Sequence, residues 1–176
     1  MKKTAHGFTL IELLVVVAII AILAVVVALI INPPEMISRT RDADRVTDVA
    51  SIKQAIDIAQ SEATDSGAAV LCNGGSYPCT GSSNSGARTV DGNGWVKVNV
   101  SGIKGIDLPT LPIDPINNSN FHYTYCADKD AYEINTKLES VQQKSRMKND
   151  GGDDDNLFES GTSLTLISPS GGSCTY

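Results

Sequence analysis

Between Phe8 and Ile31 only Thr9 and Glu12 interrupt a run of apolar residues. As a helix, these 24 residues reach about 36 Å at about 1.5 Å per residue, enough to cross a hydrocarbon layer of roughly 30 Å. The pattern then changes at Asn32-Pro33-Pro34, where two prolines remove backbone donors and are expected to kink or briefly interrupt the helix. From Glu35 to about Thr64 apolar residues recur three or four apart, at Val46, Val49, Ile52, Ile56, Ala59 and Ala63. This spacing predicts an amphipathic helix with one buried stripe. Arg41, Asp42, Asp44, Arg45, Asp48, Lys53 and Asp57 fall on its other faces and are expected to be mostly solvated.

Past Ser66 glycine, serine and asparagine dominate as far as Gly94, which predicts a long exposed loop. Alternation then predicts strands at Trp95–Val100, Phe121–Cys126, Ala131–Leu138 and Ser163–Ile167. Between the first two, Leu108-Pro109-Thr110-Leu111-Pro112-Ile113-Asp114-Pro115 is too rich in proline for a central strand and is expected to be an extended or turning linker. The expected organisation is a leader at 1–7, a membrane helix at 8–31, an amphipathic helix at 32–65, an exposed loop at 66–94, and an antiparallel sheet with a C-terminal loop at 95–176. The fold class is α+β, with the long helix packed on a small antiparallel sheet.

Lys2, Lys3 and His6 precede the apolar run, so the positive-inside rule places the N-terminus in the cytoplasm and the chain beyond Ile31 outside. An ordinary secretory signal has a shorter apolar region ending in a small-residue cleavage site, and no such site comes after Ile31. A lone carboxylate in a membrane segment costs roughly 2.5–3.5 kcal/mol at the bilayer centre, which makes Glu12 a functional candidate.

The string KKTAHGFTLIELLVVVAIIAILA, Lys2 to Ala24, resembles the class III signal of type IV prepilins and type II secretion pseudopilins. The resemblance implies a pilin-like fold, cleavage by prepilin peptidase between Gly7 and Phe8, and methylation of Phe8. It also implies that Glu12 pairs with the N-terminal amine of a neighbouring subunit during assembly. In a helix bundle of low dielectric either charge alone is penalised, so pairing relieves both and sets a register that apolar packing leaves nearly featureless. The implied partners are further copies of the chain in a helical filament, prepilin peptidase, an inner-membrane assembly platform, and minor pilins or pseudopilins. The implied location is the inner membrane, single-pass, and then an extracytoplasmic or cell-surface filament. The alternatives are a pseudopilin driving protein export and a minor adhesion or recognition subunit. The sheet region, with Tyr123, Tyr125, Tyr132 and Leu138-Glu139, is more weakly similar to major pseudopilins, and Val141–Lys148 looks like an insertion there.

Charge narrows the partners. The formal net charge is −6; without Lys2 and Lys3, 12 basic side chains face 20 acidic ones, net −8. Nucleic acid is not an expected partner, since phosphate binding relies on clustered lysine and arginine. No aromatic residue lies between Thr9 and Ser76, which disfavours an electron-conducting aromatic stack along the helix.

Four cysteines in the exported part suggest two disulfides, and three pairings are open. Cys72 with Cys79 and Cys126 with Cys174 is favoured, because the first closes a local loop and the second ties the C-terminal tail to the sheet. Zinc is disfavoured by the absence of a CxxC pair and of ligand-like spacing between His6 and His122.

Asn149–Asn156 crowds Asp150, Asp153, Asp154 and Asp155 onto a glycine turn, the oxygen-rich flexible geometry that calcium accepts. Secretion-type pseudopilins carry calcium in their C-terminal loop, so the resemblance adds to this expectation, although the spacing is not that of an EF-hand. No cofactor is otherwise required. No nucleophile elbow, phosphate-cradling loop or paired histidine is present, and the expected role is structural instead of enzymatic. The sequons Asn99-Val100-Ser101 and Asn117-Asn118-Ser119 permit glycosylation without indicating it.

Overall fold

A computed structural model describes residues 7–64, 67–168 and 171–176. The expected basic leader at Lys2, Lys3 and His6, and the expected helix-to-loop boundary at 65/66, lie outside the described residues. The chain forms two compact units, one ending at Ile37 and the other spanning Ser38–Tyr176.

Helix α1 (Leu10–Ile31) is apolar on every face, and its segment Leu10–Val27 has a mean hydropathy of 3.3. By length and composition this helix can cross a membrane. Its large side chains are exposed within the monomer, from Leu10 to Val27. Asn32 ends α1 in the left-handed conformation, at φ 45°. Helix α2 (Pro33–Glu62) then starts on the two prolines, so Pro33 and Pro34 open a new helix instead of bending an existing one. The first turn is where proline is tolerated, because its missing N–H has no intrahelical partner there.

In the second unit α2 buries Val49, Ile52, Ala55, Ile56 and Ala59. Val46 and Ala63, expected in the same stripe, are half-buried at its margins. Two charged residues assigned to the solvated faces, Asp42 and Arg45, are fully buried, which corrects that expectation.

The sheet is antiparallel, in the order β1 (Cys79–Ser82), β2 (Tyr123–Asp128), β3 (Ala131–Thr136), β4 (Phe158–Gly161). Only the two central strands coincide with expected ones. Trp95–Val100 forms no ladder strand. Trp95, Val96, Val98 and Val100 are buried, but their backbone bonds run to the preceding loop, Trp95 N–H to the Ala87 carbonyl and Val100 N–H to that of Val90. Lys97 and Asn99 alternate with the buried valines as a half-wet strand requires, but with its donors taken by the preceding loop the segment packs as irregular core. The last strand is β4, and Ser163–Ile167 instead folds across the sheet, with Ile167 and Cys174 meeting in an isolated parallel bridge.

The first strand comes from the stretch expected to be an exposed loop. Within 67–94 lie α3 (Gly67–Leu71), β1, and the buried residues Leu71, Cys72 and Ser83. Its glycines serve close packing: a Cβ at Gly81 would strike the Trp95 carbonyl, and one at Gly94 the Thr89 carbonyl. Missing side chains let this layer press against Trp95, so a composition typical of loops here forms core. A further short helix, α4 (Lys144–Asn149), occupies most of the segment that looked like an insertion and buries Met147.

Alternation gives the sheet two distinct faces. Tyr123, Tyr125, Tyr132 and Ile134 join Trp95, Leu111 and the α2 stripe in the main core. Tyr125 donates to the Leu71 carbonyl, and Tyr123 and Tyr132 donate to Asp48 and Asp57 of α2. On the opposite face, the C-terminal segment is tied down by the Cys126–Cys174 disulfide. The other disulfide joins Cys72 to Cys79.

Candidate processing and assembly site

The N-terminal site is built by one short motif, Thr9-Leu10-Ile11-Glu12. Thr9 is the N-cap of α1, and its hydroxyl oxygen accepts the Glu12 N–H at 3.3 Å. The Glu12 carboxylate answers by accepting the Thr9 N–H at 2.9 Å and the Thr9 hydroxyl at 2.8 Å. This capping box satisfies donors that a helix start leaves open. The S/T-x-x-E spacing that signals it stands in the sequence, where the cost of a charge in a membrane segment points to a different role for the same glutamate.

Glu12 is the only charged residue of α1. The residues on either side of the expected cleavage bond are open to attack: Phe8 is 84% exposed, and a Cβ on Gly7 would meet nothing within 4 Å. Gly7, Phe8 and Glu12 thus share one helix start, with the expected scissile bond on the non-helical side of the cap.

A second constellation, in the other unit, has no signature in the sequence. The buried Arg45 guanidinium grips Asp114 in bidentate fashion, Nε to Oδ2 at 2.6 Å and Nη2 to Oδ1 at 3.0 Å. Its Nη1 donates to Asp42 at 2.9 Å and to Glu139 at 2.6 Å. Arg41 closes the network with two bonds to Glu139. Phe121 lies 5.0 Å from the Arg45 Cζ, a cation–π contact. Backbone donors satisfy the remaining lone pairs, Ile116 and Asn117 on Asp114, Glu139 and Ser140 on Asp42.

Burial works against the charge on Arg45, but the hydrogen bonds it donates to Asp114 and Glu139 outweigh it and raise its pKa. Burial likewise pushes Asp114 and Glu139 up, and the arginines more than reverse this, holding both below the ordinary carboxylate range. The network anchors the Arg41–Arg45 turn of α2 to the proline linker and to the segment after β3. It organises the domain and offers no nucleophile. Each charged residue was visible in the sequence; their meeting was not, because the partners of Arg45 in the linker and after β3 are 69 and 94 positions away.

The acidic turn does not gather the four carboxylates expected to bind calcium. Asp150 accepts the N–H groups of Gly152 and Glu159, and Asp154 those of Asn156. Asp153 accepts the Ser168 hydroxyl, while Asp155 lies 3.9 Å from Lys148 Nζ in an exposed pair. In a tight glycine turn short carboxylates fold onto nearby backbone donors, as Asp150 and Asp154 do, while Asp153 and Asp155 turn to separate side-chain partners. Among the described residues no group of three or more His, Cys, Asp or Glu side chains is placed to hold a metal ion.

Comparison with known families finds the prokaryotic N-terminal methylation motif at residues 2–28. No curated protein and no solved structure matches the chain.

Proposed function

From a chain that carries this motif on an apolar N-terminal helix, and so fits the type IV pilin and pseudopilin class as a prepilin peptidase substrate, we propose a structural, non-catalytic subunit of a type IV pilus-like filament. Cleavage between Gly7 and Phe8 frees an amine, which is then methylated. The subunit waits in the inner membrane through α1 until assembly moves that helix into a bundle of copies.

One observation carries the reading: a helix apolar on every face holds a single carboxylate, one turn from the bond to be cut. Within one chain that carboxylate caps its own helix. In the filament the neighbour's amine offers it a full positive charge, which in a dry bundle outweighs a neutral hydrogen bond. Assembly therefore exchanges an internal cap for an intersubunit ion pair.

Glu12→Gln separates the two roles, because glutamine retains the acceptor of a capping box and lacks the charge. The expected result is normal removal of residues 1–7 by intact mass and loss of sheared filaments. Normal filament yield from Glu12→Gln would overturn the charge-pairing mechanism. Gly7→Val is expected to leave the leader attached; a processed Gly7→Val chain would refute the cleavage assignment. Processed wild-type protein abundant in sheared surface material supports a pilus, and its confinement to membranes supports a secretion pseudopilus.

A further inference from the structure

The face of the sheet turned away from α2 is only partly covered. The C-terminal segment lies over β3 and β2, where Glu133 accepts the Leu166 and Ile167 N–H groups and the Cys126–Cys174 disulfide fastens it. Thr80 and Ser82 of β1 pair with Cys126 and Thr124 and so share that face, beyond the cover. Here a cleft of about 400 Å³ opens, bounded by β1, the Asn84-Ser85 turn, Ser119, and Thr175-Tyr176. Small-molecule sites have volumes of roughly 300–1,000 Å³.

The floor of the cleft is polar and buried: His122 and Thr124 line it at 6% and 2% exposure. Among the described residues the Thr124 hydroxyl has no hydrogen-bond partner. Buried polar atoms are normally satisfied, so this one calls for a partner from the cleft. His122 Nδ1 lies 3.1 Å from the Asn118 carbonyl, which can only accept, so Nδ1 carries the proton and Nε2 is an acceptor. Burial lowers the imidazole pKa and keeps the ring uncharged at neutral pH.

The rim is held in place by its own bonds. Ser82 donates to Asn84 Oδ1 at 2.8 Å, Asn84 Nδ2 to the Asn118 carbonyl at 3.3 Å, and Thr80 to the Tyr125 carbonyl at 2.9 Å. Both hydroxyls keep lone pairs with which to accept. Tyr176, 36% exposed, stacks on His122 with ring centroids 4.4 Å apart, and its hydroxyl donates to the His122 carbonyl.

Among the described residues that line the cleft none has a charged side chain, so an ionic ligand finds no counter-charge there. Neutral groups that donate and accept, beside an aromatic stack, suit a ligand made of hydroxyls on a C–H-bearing ring. Its hydroxyls pair without a charge being desolvated, and its polarised C–H bonds meet the negative π face. We propose that this cleft is a recognition site for a neutral saccharide, seated on Thr124 and His122 with its ring against the Tyr176–His122 stack. The site would add recognition to the structural role, and it does not rest on filament assembly.

The test is saturation-transfer NMR on the full chain in a detergent without a sugar headgroup. The probes are D-galactose, D-glucose, D-mannose, N-acetyl-D-glucosamine and lactose, with N-acetylneuraminic acid as the charged control. Saturable binding of at least one neutral sugar is expected, with a Kd on the order of 1 mM. Thr124→Val keeps the side-chain shape and removes the hydroxyl; it should weaken binding by about 2–10-fold. Its unfolding temperature should be no lower than the parent's, because the hydroxyl has no bond within the protein to lose. Tyr176→Ala should weaken binding by about tenfold. The proposal is overturned if none of the neutral sugars binds saturably, if both variants bind as well as the parent, or if N-acetylneuraminic acid binds more tightly than every neutral sugar. A lower unfolding temperature for Thr124→Val would show that its hydroxyl is satisfied inside the fold and would equally overturn the site.

Discussion

Replacing Arg45 with alanine tests the claim that a buried ionic network holds the second unit together. The substitution removes four hydrogen bonds at once and leaves Asp42 and Asp114 buried at 0–1% exposure with no cation from Arg45. Removing one partner of a buried pair costs about 3–5 kcal/mol, chiefly because the charge left behind cannot reach water. For a domain of this size about 3–5 °C accompanies each kcal/mol, so the unfolding temperature should fall on the order of 10–20 °C. Trp95 reports the event directly: it is the only tryptophan, is fully buried, and donates its indole N–H to the Pro112 carbonyl, two residues before Asp114. Urea and thermal unfolding of the full chain in detergent, followed by Trp95 fluorescence, give the number. Arg41→Ala is the control. Its side chain is 30% exposed and bonds the same Glu139, so it should cost less than about 1 kcal/mol. An Arg45→Ala loss below about 1 kcal/mol, or one equal to that of Arg41→Ala, would refute the reasoning.

The same network sets an acid limit. Folded Asp114 and Glu139 lie below their ordinary values of 3.8 and 4.5, so their contribution is present above those values and is lost as pH falls through and below them. The unfolding temperature should drop as pH falls below about 4.5, less steeply in Arg45→Ala, and an unchanged acid limb in that variant would contradict the assignment. The two disulfides should differ in worth, because their sequence separations are 7 and 48 residues. Loop-closure entropy makes Cys126→Ser with Cys174→Ser costlier than Cys72→Ser with Cys79→Ser by about 1.7 kcal/mol, and the reverse order in urea unfolding would count against this.

Local chemistry was legible wherever it decides locally. Helix α1 needs no partner for its apolar pattern to be read, and the β2–β3 hairpin joins two expected strands across a two-residue turn at Lys129-Asp130. The failures share a cause. Segment 67–94 has the composition of a loop, yet its glycines serve contact with Trp95, a residue whose position depends on the whole layer. Trp95–Val100 alternates in part as a strand should, but its backbone donors go to the loop just before it, Trp95 to Ala87 and Val100 to Val90, instead of to a sheet edge.

Sequence alone determined the membrane-length helix, the lone Glu12, the expected cleavage position and the amphipathic stripe, since each depends on neighbours no more than a few turns away. Only tertiary structure decided which charges are solvated and which are buried. Arg45 differs from Arg41 by one helical turn, yet one is sealed under Asp114 and Glu139 while the other remains partly exposed. The acidic residues tell the same story: a conspicuous cluster in the turn divides between local backbone donors and separate side-chain partners, whereas Glu133 and Glu159, 26 positions apart, are brought together by strand pairing. Burial is a property of the assembled layers, and a charge's role is set by the dielectric and the partners those layers impose.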